Sequence, residues 1–361
     1  FYGTGNAFNN REKKMTEVSN LTNTTNTSTI NFDEILKLLV DLPKTDVETG
    51  KRAQNQVNQT TKYAGSFGRL DEIISWLSLW QGQYPPKLDH PRICVFAGNH
   101  GITDQEVTNH SSKMTAQMVQ NCISGGAAVN QLALLADADL RVYEMALDQP
   151  TNDFTQGPAM TEEECARAIA YGMLAVEDSI DLLVLGEIGI GNDTSASAIC
   201  CALLSEDISD WVGDGKAEKN MYRTNSIEAV RAGIEVNKSL TCDPLNVLRC
   251  LGGQEISAVV GAIIAARIAR TPVLLDGFVS TAAALVLYKI NPELLLHCNI
   301  SHLSPEPVHL RLLNTMGKRP ILELDISMGG AIGASIAINI IRASIACRSE
   351  ITNDDEILLT C

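Results

Sequence analysis

A chain of 361 residues is long enough to bury a substantial core, as one large domain or two. Its formal net charge of −15 excludes the basic face that nucleic-acid binding needs to neutralise phosphates. No apolar run reaches the length of a membrane span, since the longest, Ala258–Ala266, has the alanine-rich texture of a packed helix. The ten cysteines are scattered and form no Cys-x-x-Cys pair, which fits small hydrophobes in a reducing cytoplasm better than a disulfide scaffold. No secretory leader is expected.

Residues 1–30 are polar and rich in Asn and Thr, cannot supply a core, and are expected to be a disordered tail. Helical spacing begins at Phe32, and further helices are expected over 45–63 and 70–80 before Pro85, Pro86 and Pro91 close an N-terminal helical segment, 31–91. The texture then changes. Arg92-Ile-Cys-Val-Phe-Ala97 reads as a strand ending in Gly98-Asn-His-Gly101, followed by helices over 115–123 and 127–135 and a strand over 140–145. A helix over 161–176 opens on acidic residues, which suit its positive end. The chain continues with a strand at 182–185, a helix from near Ser195 to Leu204, and a helical stretch 243–269 interrupted at Gly252-Gly253. Strands over 271–275, 297–302 and 321–324 alternate with helices over 280–288, 308–316 and 334–346, ahead of an acidic tail. Such alternation gives an α/β fold, a mostly parallel, Rossmann-like sheet with helices on both faces.

The stretch from Asp181 to Cys200 organises the rest. Leu182–Leu185 suits a strand buried on both faces, and Gly186, Gly189 and Gly191 then mark a sharp turn or a close approach to a ligand. Asn192 and Thr194 offer cap oxygens to the following helix, whose free N–H groups and dipole make a natural anion cradle. Glu187, read as part of that loop, would repel a phosphate and so points to a ribose hydroxyl or a cationic ring beside it. From the glycines alone, a turn with no ligand reads equally well. Loops at 98–101, 186–194, 276–278, 301–304 and 327–333 all follow strands, so a parallel sheet would gather them at one crevice. A nicotinamide dehydrogenase is a poor fit, because no Gly-x-Gly-x-x-Gly follows the first strand.

An ordered set of motifs carries a more specific resemblance. Gly65-Ser-Phe-Gly-Arg-Leu70, Val95-Phe-Ala-Gly-Asn-His-Gly101, Gly125-Gly-Ala-Ala-Val-Asn130, Gly186-Glu-Ile-Gly-Ile-Gly-Asn192, Gly252-Gly-Gln-Glu-Ile256, Pro272-Val-Leu-Leu-Asp-Gly-Phe278 and Ser301-His-Leu-Ser-Pro-Glu306 occur in sequence. Together they make the chain, from Phe32 to Cys347, resemble the nicotinate-nucleotide–dimethylbenzimidazole phosphoribosyltransferases. The resemblance implies transfer of 5-phosphoribosyl from nicotinate mononucleotide to 5,6-dimethylbenzimidazole or a related base, in cobalamin nucleotide-loop assembly. It implies no cofactor or metal. It also implies a homodimer whose 92–333 core sits beside a smaller helical domain made of 31–91 and 334–361. Residue by residue, Glu187, Gly189, Gly191, Asn192 and Thr194 match the nucleotide loop, Gly215 a phosphate contact, and Ser304 a second nucleotide contact. Asn99, His100 and Met328 fall where the azole pocket is lined. A turn stabilised by side-chain hydrogen bonds also explains Asn99 and His100, and an N-cap before Pro305 also explains Ser304. His302 and His309 read as structural, without a third ligand at metal spacing.

The departures concern the chemistry. The family's general base is the glutamate of Arg-Leu-Gly-Glu-Gly-(Ser/Thr)-Gly, where this chain has Ser327-Met-Gly-Gly-Ala-Ile-Gly333. Gly330 therefore replaces the glutamate and Ser327 the arginine. Thr224 replaces a phosphate lysine, with Lys216, Lys219 or Arg223 as substitutes. Two readings follow. One is a transferase slowed by the loss, with Glu187 or Glu323 as a stand-in base, in which a glutamate restored at 330 should raise the rate. The other is a non-catalytic relative that binds a nucleotide or azole or supports a partner subunit.

Overall fold

The computed structural model describes residues 30–349, apart from 41, 44, 47, 52–54, 56–66, 205–206 and 213–219. The N-terminal tail over 1–29, most of the helix expected over 45–63, Gly215, Lys216, Lys219 and the last residues lie outside the described residues.

Six parallel strands form one sheet: β1 (Pro91–Ala97), β2 (Asp139–Glu144), β3 (Leu182–Ile188), β4 (Val273–Leu275), β5 (Cys298–Leu303) and β6 (Pro320–Glu323), in the order β2-β1-β3-β4-β5-β6. β1, β3 and β4 are buried along their whole length, which is why they read as nearly unbroken apolar runs. β2, at one edge, alternates between exposed and half-buried residues. The helices before the middle of the chain are α1 (Phe32–Leu38), α2 (Arg69–Gln81), α3 (Lys113–Ile123), α4 (Ala128–Leu135), α5 (Glu162–Met173) and α6 (Asn192–Leu204). Those after it are α7 (Asn220–Asn237), α8 (Pro244–Leu251), α9 (Gln254–Ala269), α10 (Gly277–Ile290), α11 (Pro307–Met316) and α12 (Ile332–Ser349).

The period-2 geometry of the strands sorts the core into two layers. Cys94, Phe96, Leu183, Leu185, Val273 and Leu275 face one way, into a layer that includes α1, α5, α6 and α8–α11. Ile93, Val95, Leu182, Val184 and Leu274 face the other, against α2, α3, α4 and α12. α1 and α2, neighbours in sequence, thus lie on opposite faces, and α12 packs on α2 and α4.

Three boundaries differ from the expected ones in ways that matter for the site. β3 does not stop at Leu185. Gly186, Glu187 and Ile188 continue its ladder opposite Val95, Phe96 and Ala97, so Glu187 sits in a strand rather than a loop. α6 begins at Asn192, so Asn192 and Thr194 are inside its first turn instead of capping it. α7 has no counterpart among the expected helices.

Candidate active site

Glu187 is fixed by its place in β3 and by what crosses behind it. A Cβ on Gly186 would come within 2.5 Å of the Ala331 backbone nitrogen, so glycine is what lets the last loop pass over the strand. That loop is pinned there by the Gly330 N–H, which donates to the Glu187 carbonyl at 3.0 Å. The Glu187 carboxylate accepts a hydrogen bond from the Asn192 side-chain amide and is only 7% exposed. Burial raises its pKa well above the ordinary carboxylate value, and the charges of Asp193, Glu255 and Asp276 push it further, against the Asn192 bond.

Asp276, at the end of β4, holds the start of α12. Its Oδ2 accepts from the Ala331 N–H and its Oδ1 from the Ala334 N–H, both at 2.9 Å. An internal carboxylate thus occupies the positive end of that helix. His302, in β5, places Nδ1 3.0 Å from the Ser301 hydroxyl and 3.5 Å from Asp276 Oδ1. Gly333 makes room for this ring, since any Cβ there would overlap it. His309 accepts at Nδ1 from the Ser304 N–H (3.0 Å) and bonds Thr281 through Nε2 (3.2 Å). Burial first, and the neighbouring His302 second, lower its pKa to about 3, so it stays neutral and structural.

These loops surround an open cavity lined by Glu187, Asp193, Asp276, His302, Glu306 and Met328. The first turn of α10, which has no side-chain cap bond, and Ser304 complete the wall. No lysine or arginine is among the described residues that line it. Burial raises the pKa of Asp276, although both its oxygens are hydrogen-bonded, and of the half-buried Glu306, whereas Asp193 is exposed. Such a site favours a ligand that brings positive charge.

The sequence-derived candidates divide into two groups. Glu187, Ser304 and Met328 line the cavity, with Met328 62% exposed over its mouth, and Asn192 orients Glu187. Ser304 does not cap α11, whose N-cap is Glu306, and bonds His309 instead. Asn99, His100, Gly189, Gly191 and Thr194 are not in the lining. Asn99 donates to the Leu147 carbonyl at 2.8 Å, and Thr194 bonds Ser226 at 3.2 Å. His100 is locked between Glu255 (2.6 Å) and Ser195 (3.0 Å) in a fully buried cluster. Gly189 backs onto Glu255 and the Gly98 carbonyl, and Gly191 takes a φ of +91° against Thr103. Gly330 has a φ of +77°, and its missing Cβ points towards Ile188. Glu323 is exposed at the sheet edge, away from the cavity, and Arg223 donates to the Ser209 carbonyl.

Asp193, Asp276 and Glu306 escaped the sequence reading, and His302 was assigned to structure alone. The available signal was position: Asp276 directly follows β4, His302 lies near the end of β5, and Asp193 and Glu306 stand where the next helix begins. Among the described residues no group of three or more His, Cys, Asp or Glu side chains is arranged to hold a metal, and no helix is long and apolar enough to cross a membrane.

A family model described as phosphoribosyltransferase matches residues 42–357. The nicotinate-nucleotide–dimethylbenzimidazole phosphoribosyltransferase of Brucella canis is 45% identical over 318 residues, 88% of this chain and 94% of that protein. The Brucella melitensis protein of the same name is 44% identical over the same span. The crystal structure of CobT from Thermus thermophilus is similar with a TM-score of 0.80 at 32% identity, covering 86% of this chain and 98% of that one.

Proposed function

The chain belongs to the phosphoribosyltransferase family of these relatives, and from that premise we propose that it moves 5-phosphoribosyl from nicotinate mononucleotide to 5,6-dimethylbenzimidazole or a related base, giving α-ribazole 5′-phosphate and nicotinate. The observation that carries the reading is the ring of four carboxyl groups, Glu187, Asp193, Asp276 and Glu306, around one cavity at the carboxyl edge of the sheet.

The donor is a ribosyl pyridinium. Its glycosidic nitrogen is cationic, and as the C1′–N bond breaks the positive charge moves onto the ribose. A desolvated carboxylate is worth most against such charge, because little water competes with it. Glu187 resists ionisation in the free site and gains a partner for its charge only when the cation arrives. The phosphate needs donors, and the uncapped first turn of α10 supplies them. Lys216 and Lys219 are the cations we assign to it, in place of the lysine replaced by Thr224. The azole lies on the Met328 side of the cavity, with nicotinate leaving from the opposite face of C1′. Positioning and electrostatics then carry the reaction without a metal or cofactor.

A homodimer in the cytoplasm completes the proposal. It is supported by exposed apolar residues on α3 and α4 (Ile123, Leu134 and Leu135) and by cysteines that are all free among the described residues. The test is an assay with nicotinate mononucleotide and 5,6-dimethylbenzimidazole. Formation of α-ribazole 5′-phosphate is expected. Binding of the mononucleotide by calorimetry without any product would favour the non-catalytic relative, the reading that Gly330 supports.

A further inference from the structure

If Gly330 cannot take a proton, some other group must. When one azole nitrogen attacks C1′, the new C–N bond leaves the azole cationic, with the N–H still on its second nitrogen. The electrons of the breaking C1′–N bond go to the pyridine ring, and nicotinate departs with a neutral nitrogen. One proton must then leave the azole for a base.

The hydrogen-bond pattern around His302 fixes which of its nitrogens can serve. The Ser301 hydroxyl has a single hydrogen, and it points at the Leu275 carbonyl, 2.8 Å away. Towards His302 that oxygen can therefore only accept, so Nδ1 carries the ring proton and donates across 3.0 Å. The Asp276 carboxylate, 3.5 Å from Nδ1, favours the same tautomer. Asp276 cannot swing away, because both its oxygens hold the first turn of α12. The Gly333 backbone leaves the ring no slack on its Nδ1 side. Nε2 is left as a lone pair with no hydrogen-bond partner among the described residues, on a ring that lines the cavity.

We infer that His302 is the general base of this protein: Nε2 takes the azole proton, and the resulting imidazolium is held by Asp276. The assignment rests on the transferase reading above. It moves the proton acceptor from the last loop to β5, two strands from Glu187, so that one carboxylate faces the ribose while the imidazole faces the azole.

The experiment compares two acceptors in single-turnover reactions. 5,6-Dimethylbenzimidazole has an N–H to lose; its N-methylated analogue, 1,5,6-trimethylbenzimidazole, attacks through the other nitrogen and has none. His302→Gln should slow the first reaction ~10²-fold or more, the usual worth of a general base, with KM for the mononucleotide little changed, and should leave the second within about threefold of the unsubstituted protein. Equal losses with both acceptors would mean that the ring only supports the cavity, and would overturn the assignment. Nitrogen-15 NMR of the unsubstituted protein tests it without a variant: the neutral His302 ring should show a protonated Nδ1 and a bare Nε2, and the reverse tautomer would overturn it. If the unsubstituted protein yields no product with either acceptor although it binds the mononucleotide, the transferase reading itself fails and takes this assignment with it.

Discussion

Two histidine–carboxylate pairs sit at the carboxyl edge of the same sheet, and they have opposite fates. At the end of β1, His100 gives one nitrogen to Glu255 and the other to Ser195, with Gly253 pressed against the ring. At the end of β5, His302 commits only Nδ1 and, though buried, lines the cavity. The strand order reverses between β1 and β3, which is where ligands of such sheets commonly lie. Here the buried His100 cluster sits beside that crevice, and the cavity lies across the ends of β3, β4, β5 and the loop after β6. Topology nominates an edge; the ring of carboxyl groups around the cavity marks the place along it.

The comparison breaks most visibly at Glu187. Glu187→Gln keeps the shape but loses the charge, and should lower kcat ~10²–10³-fold, the scale of losing one well-placed electrostatic stabiliser. The same substitution tests a stability effect of definite sign. Burial raises the folded-state pKa of Glu187 above its ordinary value of 4.5. The folded protein therefore binds more protons than the unfolded chain between those two values, and stability contributed by the neutral form is lost as pH rises through them. Glu187→Gln should flatten that decline in denaturant titrations repeated across pH. It should also remove any gain in the hold on the mononucleotide's pyridinium ring expected at higher pH. A pH-stability curve unchanged by the substitution would mean that Glu187 is already satisfied in the empty site.

The closed pair should answer in stability instead. Glu255→Ala leaves the His100 Nε2 side unpaired in the core and should cost about 3 kcal/mol in urea unfolding, the usual cost of stripping one partner from a buried pair. The kcat of the folded fraction should stay within about fivefold. Asp276→Asn belongs to both classes. It keeps one acceptor for the α12 backbone but sets an amide against the other N–H, which should lose about 2 kcal/mol, and it should slow turnover with N–H acceptors more than with N-methylated ones.

The smallest effects come from the loop that replaces the family's glutamate motif. Ala331 has a φ of +68°, a conformation costly for any residue with a Cβ. Ala331→Gly should therefore gain about 0.5 kcal/mol, the relief of roughly 1 kcal/mol being partly offset by one buried methyl. Gly330→Glu should lose about 1 kcal/mol at its φ of +77°, with kcat raised less than threefold. The expectation from sequence, that restoring the glutamate raises the rate, took no account of this backbone or of a Cβ aimed at Ile188. A large gain in kcat would return the proton to the last loop and count against His302.

Much of the fold was legible because burial on both faces leaves an unmistakable run of Val, Leu and Ile in β1, β3 and β4. The end of β3 was not, because Gly186 and Glu187 look like loop residues, yet Gly186 is there for the passage of Ala331 over the strand. α7 was missed for a related reason. Its buried face is Ser226, Ala229, Val230, Gly233 and Asn237, a helical spacing written in small and polar residues, where Gly233 meets Phe154 and Asn237 donates to the Phe154 carbonyl. At the site, Glu187 stood out through its glycines. Asp276 and His302 did not, because their significance is a matter of which hydrogen points where, and that exists only once β4, β5 and α12 meet.

The central claim is that the phosphoribosyl group is handled across the ends of β3–β6 and not at the crevice between β1 and β3. A crystal structure with α-ribazole 5′-phosphate bound tests it directly. The account predicts the ribose beside Glu187, the phosphate at the first turn of α10, and the azole within hydrogen-bonding reach of His302 Nε2. Product bound instead in the crevice between the ends of β1 and β3, with the Glu187 carboxylate and His302 untouched, would contradict it.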